Sequence, residues 1–264
     1  MKARDFEFDG KKLSSFGFII CNFGSKGLET VSNGGQSTFN TISTLDGKEH
    51  KLTSTKYEDC AENVIQICKS PCNNSVMEIS QTELREITRW LGRNKFLKLK
   101  ILDENYIDLY FEARFKISRI ELDGIVYGLE LGIETNRPFA LKEPRIINIE
   151  HTSNSGDVFI NDTSHEEGYI YPYMEIVILE DGDLNIHNAI ENRNTYIGNC
   201  VAGEVITMDY PVIQSSIPSH DIQNNFNWVF FRIANTYENN RNDLTISIPC
   251  KIKIKYSPIV KVGL

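Results

Sequence analysis

Cys68 and Cys72, with three residues between them, have a spacing that could offer two thiolates to a metal ion. A structural zinc takes four ligands, and neither a second Cys pair nor a His pair lies near, so half the set is missing. The segment Asp181-Gly182-Asp183-Leu184-Asn185 begins like a calcium loop. It then fails, because Ile186 stands where the loop needs glycine and Asn192 where it needs a bidentate glutamate. A polar turn between strands is the plainer reading, and a calcium site built from other ligands stays open. His165-Glu166-Glu167 could supply an acid or a base, yet no nucleophile or oxyanion motif accompanies it. No G-x-S-x-G, H-E-x-x-H or phosphate-cradling glycine loop occurs. Two carboxylates converging from distant strands could still hydrolyse a glycoside. The expectation is a protein that is not an enzyme and uses no cofactor or metal.

Aromatic side chains offer a different chemistry. Tyr169, Tyr171, Tyr173, Trp228, Phe230 and Phe231 could line a sugar-binding face, with Tyr171, Tyr173 and Trp228 as its candidate glycan contacts. The competing reading is core and cross-strand packing, the usual fate of alternating aromatics in strands.

The elements that would hold these residues sit in a chain of 264 residues with 41% hydrophobic and 24% charged side chains, enough apolar material for a core. The charge is uneven. Up to Glu143 there are 20 Lys+Arg against 21 Asp+Glu; from Pro144 onward there are 8 against 15. An acidic balance without a basic stripe argues against nucleic acid. No apolar run reaches the ~20 residues of a membrane span, so no membrane partner is expected. Six scattered cysteines without an export signal predict reduced thiols and folding in the cytoplasm.

Period-two alternation dominates. Phe6/Phe8 and Phe16/Phe18/Ile20 flank Asp9-Gly10-Lys11-Lys12 and predict a hairpin with those five side chains as its buried face. The stretch from Ser80 to Asn94 is the clearest helix, with a Ser80/Glu83 capping box, an apolar face of Leu84, Ile87 and Leu91, and Gly92 placed to end it. A hairpin follows around Asp103-Glu104-Asn105, then another around Asp123-Gly124. Pro138 and Pro144 interrupt the pattern where the charge shifts, which places a boundary between domains 1–142 and 143–264. Beyond it short strands follow one another, including residues 227–234 and a long last strand from Leu244 to Tyr256, which predicts a β-sandwich or jelly roll.

Between the first hairpin and the helix runs a polar, Gly- and Ser/Thr-rich stretch. It reads either as a long loop or as an extended arm, turned at Asn33-Gly34-Gly35 and Asp46-Gly47, that packs on a neighbouring subunit. The interface residues such an arm would offer are Asn33, Gly34, Gly35, Phe39, Ile42 and Leu45.

The order of parts resembles the distal tail protein family of long-tailed bacteriophages with non-contractile tails. Ser14, Phe16, Gly17, Ile19 and Ile20 match its N-terminal motif, Trp90-Leu91 the end of its helix, Asp103 and Tyr106 the next hairpin, and residues 252–264 its last strand and tail. The resemblance implies a mainly β protein: an N-terminal β-sandwich with one α-helix and an extended arm, closing into a six-fold ring, and a C-terminal galectin-like jelly roll. It implies a structural hub joining the tail tube protein to a tail tip or tail-associated lysin protein, with a receptor-binding protein as a further partner. The hub would belong to the virion tail and be assembled in the host bacterial cytoplasm. The alternative function is a carbohydrate-binding adhesion module that contacts the host cell surface.

Overall fold

The structure, a computed structural model, describes residues 3–23, 37–43, 50–57, 62–72, 74–152, 158–236 and 238–262. Its contacts form two units, Met1–Leu141 with Lys261–Leu264, and Lys142–Val260. Both are built mainly of antiparallel strands, as the alternation requires.

In the first unit the strands are β1 (Phe6–Phe8), β2 (Lys11–Lys12), β3 (Phe18–Cys21), β4 (Ser37–Ser43), β5 (His50–Tyr57), β6 (Glu62–Lys69), β7 (Leu97–Ile101), β8 (Leu109–Leu122), β9 (Ile125–Thr135) and β10 (Ala140–Lys142). The main sheet runs β2-β1-β7-β8-β9-β6-β3, and β10 pairs with β8. The Ile20 amide donates to the Arg4 carbonyl at 3.0 Å, so the sheet curls until its far edge meets the chain entering β1.

Two Asp-Gly turns set register. Asp9 and Gly10 (φ 51° and 74°) join β1 to β2, and Asp123 and Gly124 (φ 51° and 76°) join β8 to β9, each with the two positive φ values of a tight hairpin turn. The first hairpin is shorter than expected. Its return strand is only Lys11–Lys12; a 3₁₀ turn at Leu13–Phe16 then carries the chain away, and β3 pairs with β6. Of the five predicted side chains, Phe6, Phe8 and Phe18 are buried, whereas Phe16 and Ile20 only flank the core. The two later hairpins also share one continuous strand, β8, because no turn residue interrupts Leu109–Leu122.

The helix α1 (Gln81–Leu91) covers this core. Ser80 Oγ accepts from the Glu83 amide while Glu83 accepts from the Ser80 amide at 2.8 Å, so two orphan donors of the first turn are satisfied reciprocally. Gly92 ends the helix for a steric reason, since a Cβ there would lie 2.6 Å from the Thr88 carbonyl oxygen. Besides Leu84, Ile87 and Leu91, the helix buries Trp90, whose indole N–H donates to the Phe8 carbonyl at 3.0 Å. Its ring stacks on Phe16 (4.5 Å between centroids) and Phe6 (5.8 Å), and both Phe6 and Phe8 reach Phe115 of β8.

In the second unit the strands are β11 (Arg145–His151), β12 (Val158–Asn161), β13 (Gly168–Ile170), β14 (Tyr173–Ile178), β15 (Gly182–Asn188), β16 (Arg193–Cys200), β17 (Val205–Asp209), β18 (Val212–Ser215), β19 (Ile233–Asn235), β20 (Arg241–Ile246), β21 (Cys250–Tyr256) and β22 (Ile259–Val260). Sheets β11-β21-β14-β17-β18 and β12-β20-β15-β16 enclose one apolar core, the sandwich that the strand spacing predicts, and β13 pairs with β19. A short helix, α2 (Ile222–Asn225), lies beyond β18.

Two sequence expectations are corrected here. The long last strand is two strands in different sheets, broken at Ser247-Ile248-Pro249, where proline has no N–H for a ladder. Because both sheets face one core, Leu244 and Ile246 and then Cys250, Ile252, Ile254 and Tyr256 stay buried, and the alternation hides the switch. The predicted strand at 227–234 is a strand only at Ile233–Asn235; Phe230 and Phe231 are both buried, which strict alternation forbids.

Glu83 also receives the ammonium of Lys69 at 2.8 Å, and the Lys69 side chain is almost wholly buried. Glu83→Ala removes half the capping box and leaves that ammonium alone, so it should destabilise the first unit by about 2–3 kcal/mol, against about 1 kcal/mol for Ser80→Ala. Urea unfolding followed by Trp90 fluorescence in a Trp228→Phe background measures both; equal effects would show that Lys69 does not depend on Glu83.

Candidate assembly and binding surfaces

The polar stretch after the first hairpin contains a second hairpin. β4 and β5 pair antiparallel from Ser37↔Tyr57 to Ser43↔His50 and join no other described strand. Thr53 is the extra residue of a bulge opposite Asn40 and Thr41, and its hydroxyl donates to the Asn40 carbonyl at 2.8 Å. Asn40, Thr41, Ile42, Ser43, Lys51, Thr53 and Ser54 are all exposed, Ile42 by 63%. Of the expected interface residues, Phe39 and Ile42 lie in β4, whereas Asn33, Gly34, Gly35 and Leu45 fall outside the described residues.

The aromatic residues of the second unit form a chain of ring contacts. Tyr169 meets Tyr171 edge-on at 5.5 Å, Tyr171 stacks on Tyr210 at 4.1 Å and 10°, Tyr210 meets Phe230 edge-on at 5.3 Å, and Phe230 meets Trp228 at 6.5 Å. Phe230 is buried, while Tyr169 (54%), Tyr210 (54%) and Trp228 (57%) are exposed. Tyr171 and Trp228 therefore belong to one ladder. Tyr173 stands on β14 opposite Lys255, on the strand face turned from the core, because residue 173 has the opposite phase to buried Met174. Sequence reasoning missed Tyr210, at the end of β17, and Arg232. The Arg232 guanidinium sits 3.8 Å from the Tyr169 ring centroid and grips Glu191 through Nε (2.8 Å) and Nη2 (2.5 Å). Hydrogen bonding to Glu191, and then to the Tyr171 hydroxyl, pushes the Arg232 pKa up.

The motif candidates are absorbed by the fold. The Asp181 carboxylate accepts from the Ala202 amide at 2.7 Å, and Asp183 accepts from the Asn199 amide and the Tyr196 hydroxyl, both at 2.9 Å; these bonds hold Asp183 below the usual carboxylate range. His165 and its neighbour Ser164 tie their loop to Ile259. The free thiols of Cys68 and Cys21 on adjacent strands are hydrogen-bonded, and burial foremost pushes the Cys21 thiol up to about 12. Among the described residues no group of three or more His, Cys, Asp and Glu side chains is placed to hold a metal ion.

A buried acid hidden from the sequence lies between β16 and β18. Glu204 accepts from Ser215 Oγ and the Val201 amide and contacts His220 Nδ1 at 2.5 Å, and His220 Nε2 faces the Gly198 carbonyl at 3.0 Å. A carbonyl only accepts, so with Glu204 ionised both ring nitrogens donate and the pair is ionic. Ser215 bonds the acid and not the imidazole, so the trio fastens loops and is not a nucleophile relay. Burial alone would push the Glu204 carboxyl up; the bonds from Ser215, His220 and Val201 outweigh it and hold the carboxyl below its ordinary value.

With these surfaces described, comparison with known proteins is decisive. Residues 1–137 match the family model described as "Phage tail protein N-terminal domain", and residues 139–256 match "Phage tail C-terminal domain". The chain belongs to this phage tail protein family. It is thus a structural component of the virion tail. No curated protein matches it. Among solved structures, the phage tail protein is similar to the crystal structure of SPP1 Dit (gp 19.1), titled a paradigm of the hub adsorption apparatus in phages infecting Gram-positive hosts; identity is 12%, the TM-score is 0.61, and the match covers 97% of this chain and 99% of that one. At that identity the likeness establishes the fold: a mainly β, two-domain architecture.

The lowered Glu204 pKa fixes a sign. The ionised form is favoured by folding, so its contribution is present above the unfolded pKa and is lost as pH falls through the folded value. The melting temperature of the second unit should drop below about pH 4.5. Scanning calorimetry across that range on wild type and Glu204→Gln should show a smaller acid dependence in the variant; parallel curves would contradict the assignment.

Proposed function

We propose that this phage tail protein is the distal tail hub, a ring of six copies closed through the first unit, with the tail tube protein on one face and a tail tip or tail-associated lysin protein on the other. The second unit projects outward and can carry a receptor-binding protein. The role is structural, without catalysis, and assembly takes place in the host bacterial cytoplasm.

The observation that carries this reading is the β4–β5 hairpin. An isolated two-stranded hairpin is at best marginally stable in water, and this one pairs with no other described strand. A neighbouring copy that covers it supplies the missing burial. Such a contact, arm on one side and receiving surface on the other, is heterologous, the kind that generates a ring when the rotation closes. The full-length likeness to a hub protein supports the same reading, as does the near-neutral charge up to Glu143, which leaves little repulsion between copies.

Light scattering coupled to size exclusion tests it, with the tube and tip proteins of the same particle added. The expected species has about six times the 30.2 kDa protomer mass. Replacing Ser37–Tyr57 by a short Gly-Ser linker should reduce it to monomer while the far-UV circular dichroism of the remaining β structure persists. A wild-type chain that stays monomeric with its partners present would sink the proposal.

A further inference from the structure

The hub role leaves the exposed aromatic rings of the second unit without a task. We propose that Tyr169, Tyr210 and Trp228, with the Arg232–Glu191 pair at their side, form a binding site for an uncharged pyranose chain. This goes beyond the hub reading and does not rest on it.

Three observations carry the proposal. The first is rigidity: Tyr210 and Trp228 both lean on buried Phe230, Tyr210 is also stacked on Tyr171, and Tyr169 is clamped under Arg232. Side chains fixed before a ligand arrives lose little rotamer freedom on binding. The second is strain. Trp228 has φ 58°, a left-handed conformation that disfavours bulky residues, yet its ring is 57% exposed. Asn or Gly would relieve that backbone at the loss of the ring's contacts with Phe226 and Phe230. A large ring held out at a conformational cost points to use of the ring itself. The indole N–H is anchored to the Gln223 carbonyl at 3.2 Å, so the ring has a set direction.

The third is chemistry. Arg232 and Glu191 neutralise each other through two hydrogen bonds while keeping further N–H groups and lone pairs for hydroxyls. Rings that offer π-faces, rimmed by tyrosine hydroxyls and a neutral donor–acceptor pair, complement a pyranose, which has an apolar C–H face and a rim of hydroxyls. A polyanion fits poorly, because the segment from Pro144 carries 8 basic against 15 acidic residues. An aliphatic peptide segment would find hydroxyl-bearing rings where it needs aliphatic pockets.

The test uses the full-length protein on an array of neutral pyranosyl oligosaccharides, with poly(glycerol phosphate) as the anionic probe, followed by fluorescence titration of the strongest binders. Wild type should bind neutral chains, with a shift in tryptophan emission and little dependence on salt. Trp228→Asn should lose binding about tenfold or more while its melting temperature stays equal or rises, and Tyr210→Ala should weaken binding by a similar factor. No neutral oligosaccharide bound above the level of a Trp228→Asn/Tyr210→Ala double variant, binding that survives both substitutions, or salt-sensitive binding of the polyanion alone would each overturn the proposal. The mass of the ring reads the hub role separately, so the two can fail independently.

Discussion

The first unit depends on the seat of Trp90. One indole touches rings from the opening strand and from the turn that follows it, and its N–H binds the backbone of β1. Through Phe6 and Phe8 the same cluster reaches Phe115 in the long hairpin. Segments that begin at residue 6 and end near residue 115 are thereby held in one place. Burial of side chains of this size stabilises by about 1.5–3 kcal/mol each, so the cluster outweighs any one turn or cap. Once α1 covers the sheet, the core built by the described residues is closed without β4–β5, which joins no other described strand. What makes the unit fold is also what leaves its arm over.

The second unit is specified differently, by polar groups set into an apolar sandwich. Asn242 is fully buried; its amide nitrogen donates to the Ala234 carbonyl at 2.9 Å, and its oxygen accepts from the Ala234 amide and from Asn188 Nδ2, both at 2.8 Å. Asn235 donates to buried Asp162 at 3.0 Å, and Asn188 Nδ2 also donates to the Arg232 carbonyl. Such groups are poorly tolerated unpaired, so they fix one arrangement among many of similar apolar burial. That arrangement sets β19 against β13, and with it the position of Arg232 over Tyr169.

What could be read from the chain follows from the range of each interaction. Alternation, the capping box and the Asp-Gly turns are local, and residues a few positions apart already show them. The partner of β3 is not local: Phe18–Cys21 has the same pattern beside β1 as beside β6, and only the 3₁₀ turn before it decides. The break at Ser247-Ile248-Pro249 escaped for a related reason, because a strand that changes sheets around one core keeps its phase. The sequence offers Tyr171 and Trp228 as candidate glycan contacts against a core-packing alternative and does not separate the two; Trp228 is exposed, whereas Tyr171 is half-buried against the core. Their companions were not legible, since Arg232 meets Glu191 across 41 residues and Glu204 meets His220 across two strands, β17 and β18.

The two units therefore use aromatic rings in opposite senses. In the first, Phe6, Phe8 and Trp90 are buried and produce a scaffold whose unsatisfied part is a backbone hairpin. Backbone pairing and short polar side chains suit contact with an identical partner, where register is set once by symmetry and need not discriminate. In the second, Tyr169, Tyr210 and Trp228 stay in water on a framework of buried, hydrogen-bonded asparagines; buried Phe230 fixes the directions of Tyr210 and Trp228, and Arg232 that of Tyr169. Tyr210 and Trp228 each touch Phe230, Tyr210 also stacks on Tyr171, and Tyr169 packs against Tyr171 and Arg232, so the ring surface left exposed is available to something outside the chain. Under the proposed roles, the unit that commits its rings to closure would hold the particle together, and the unit that keeps rings in water would meet what the particle encounters.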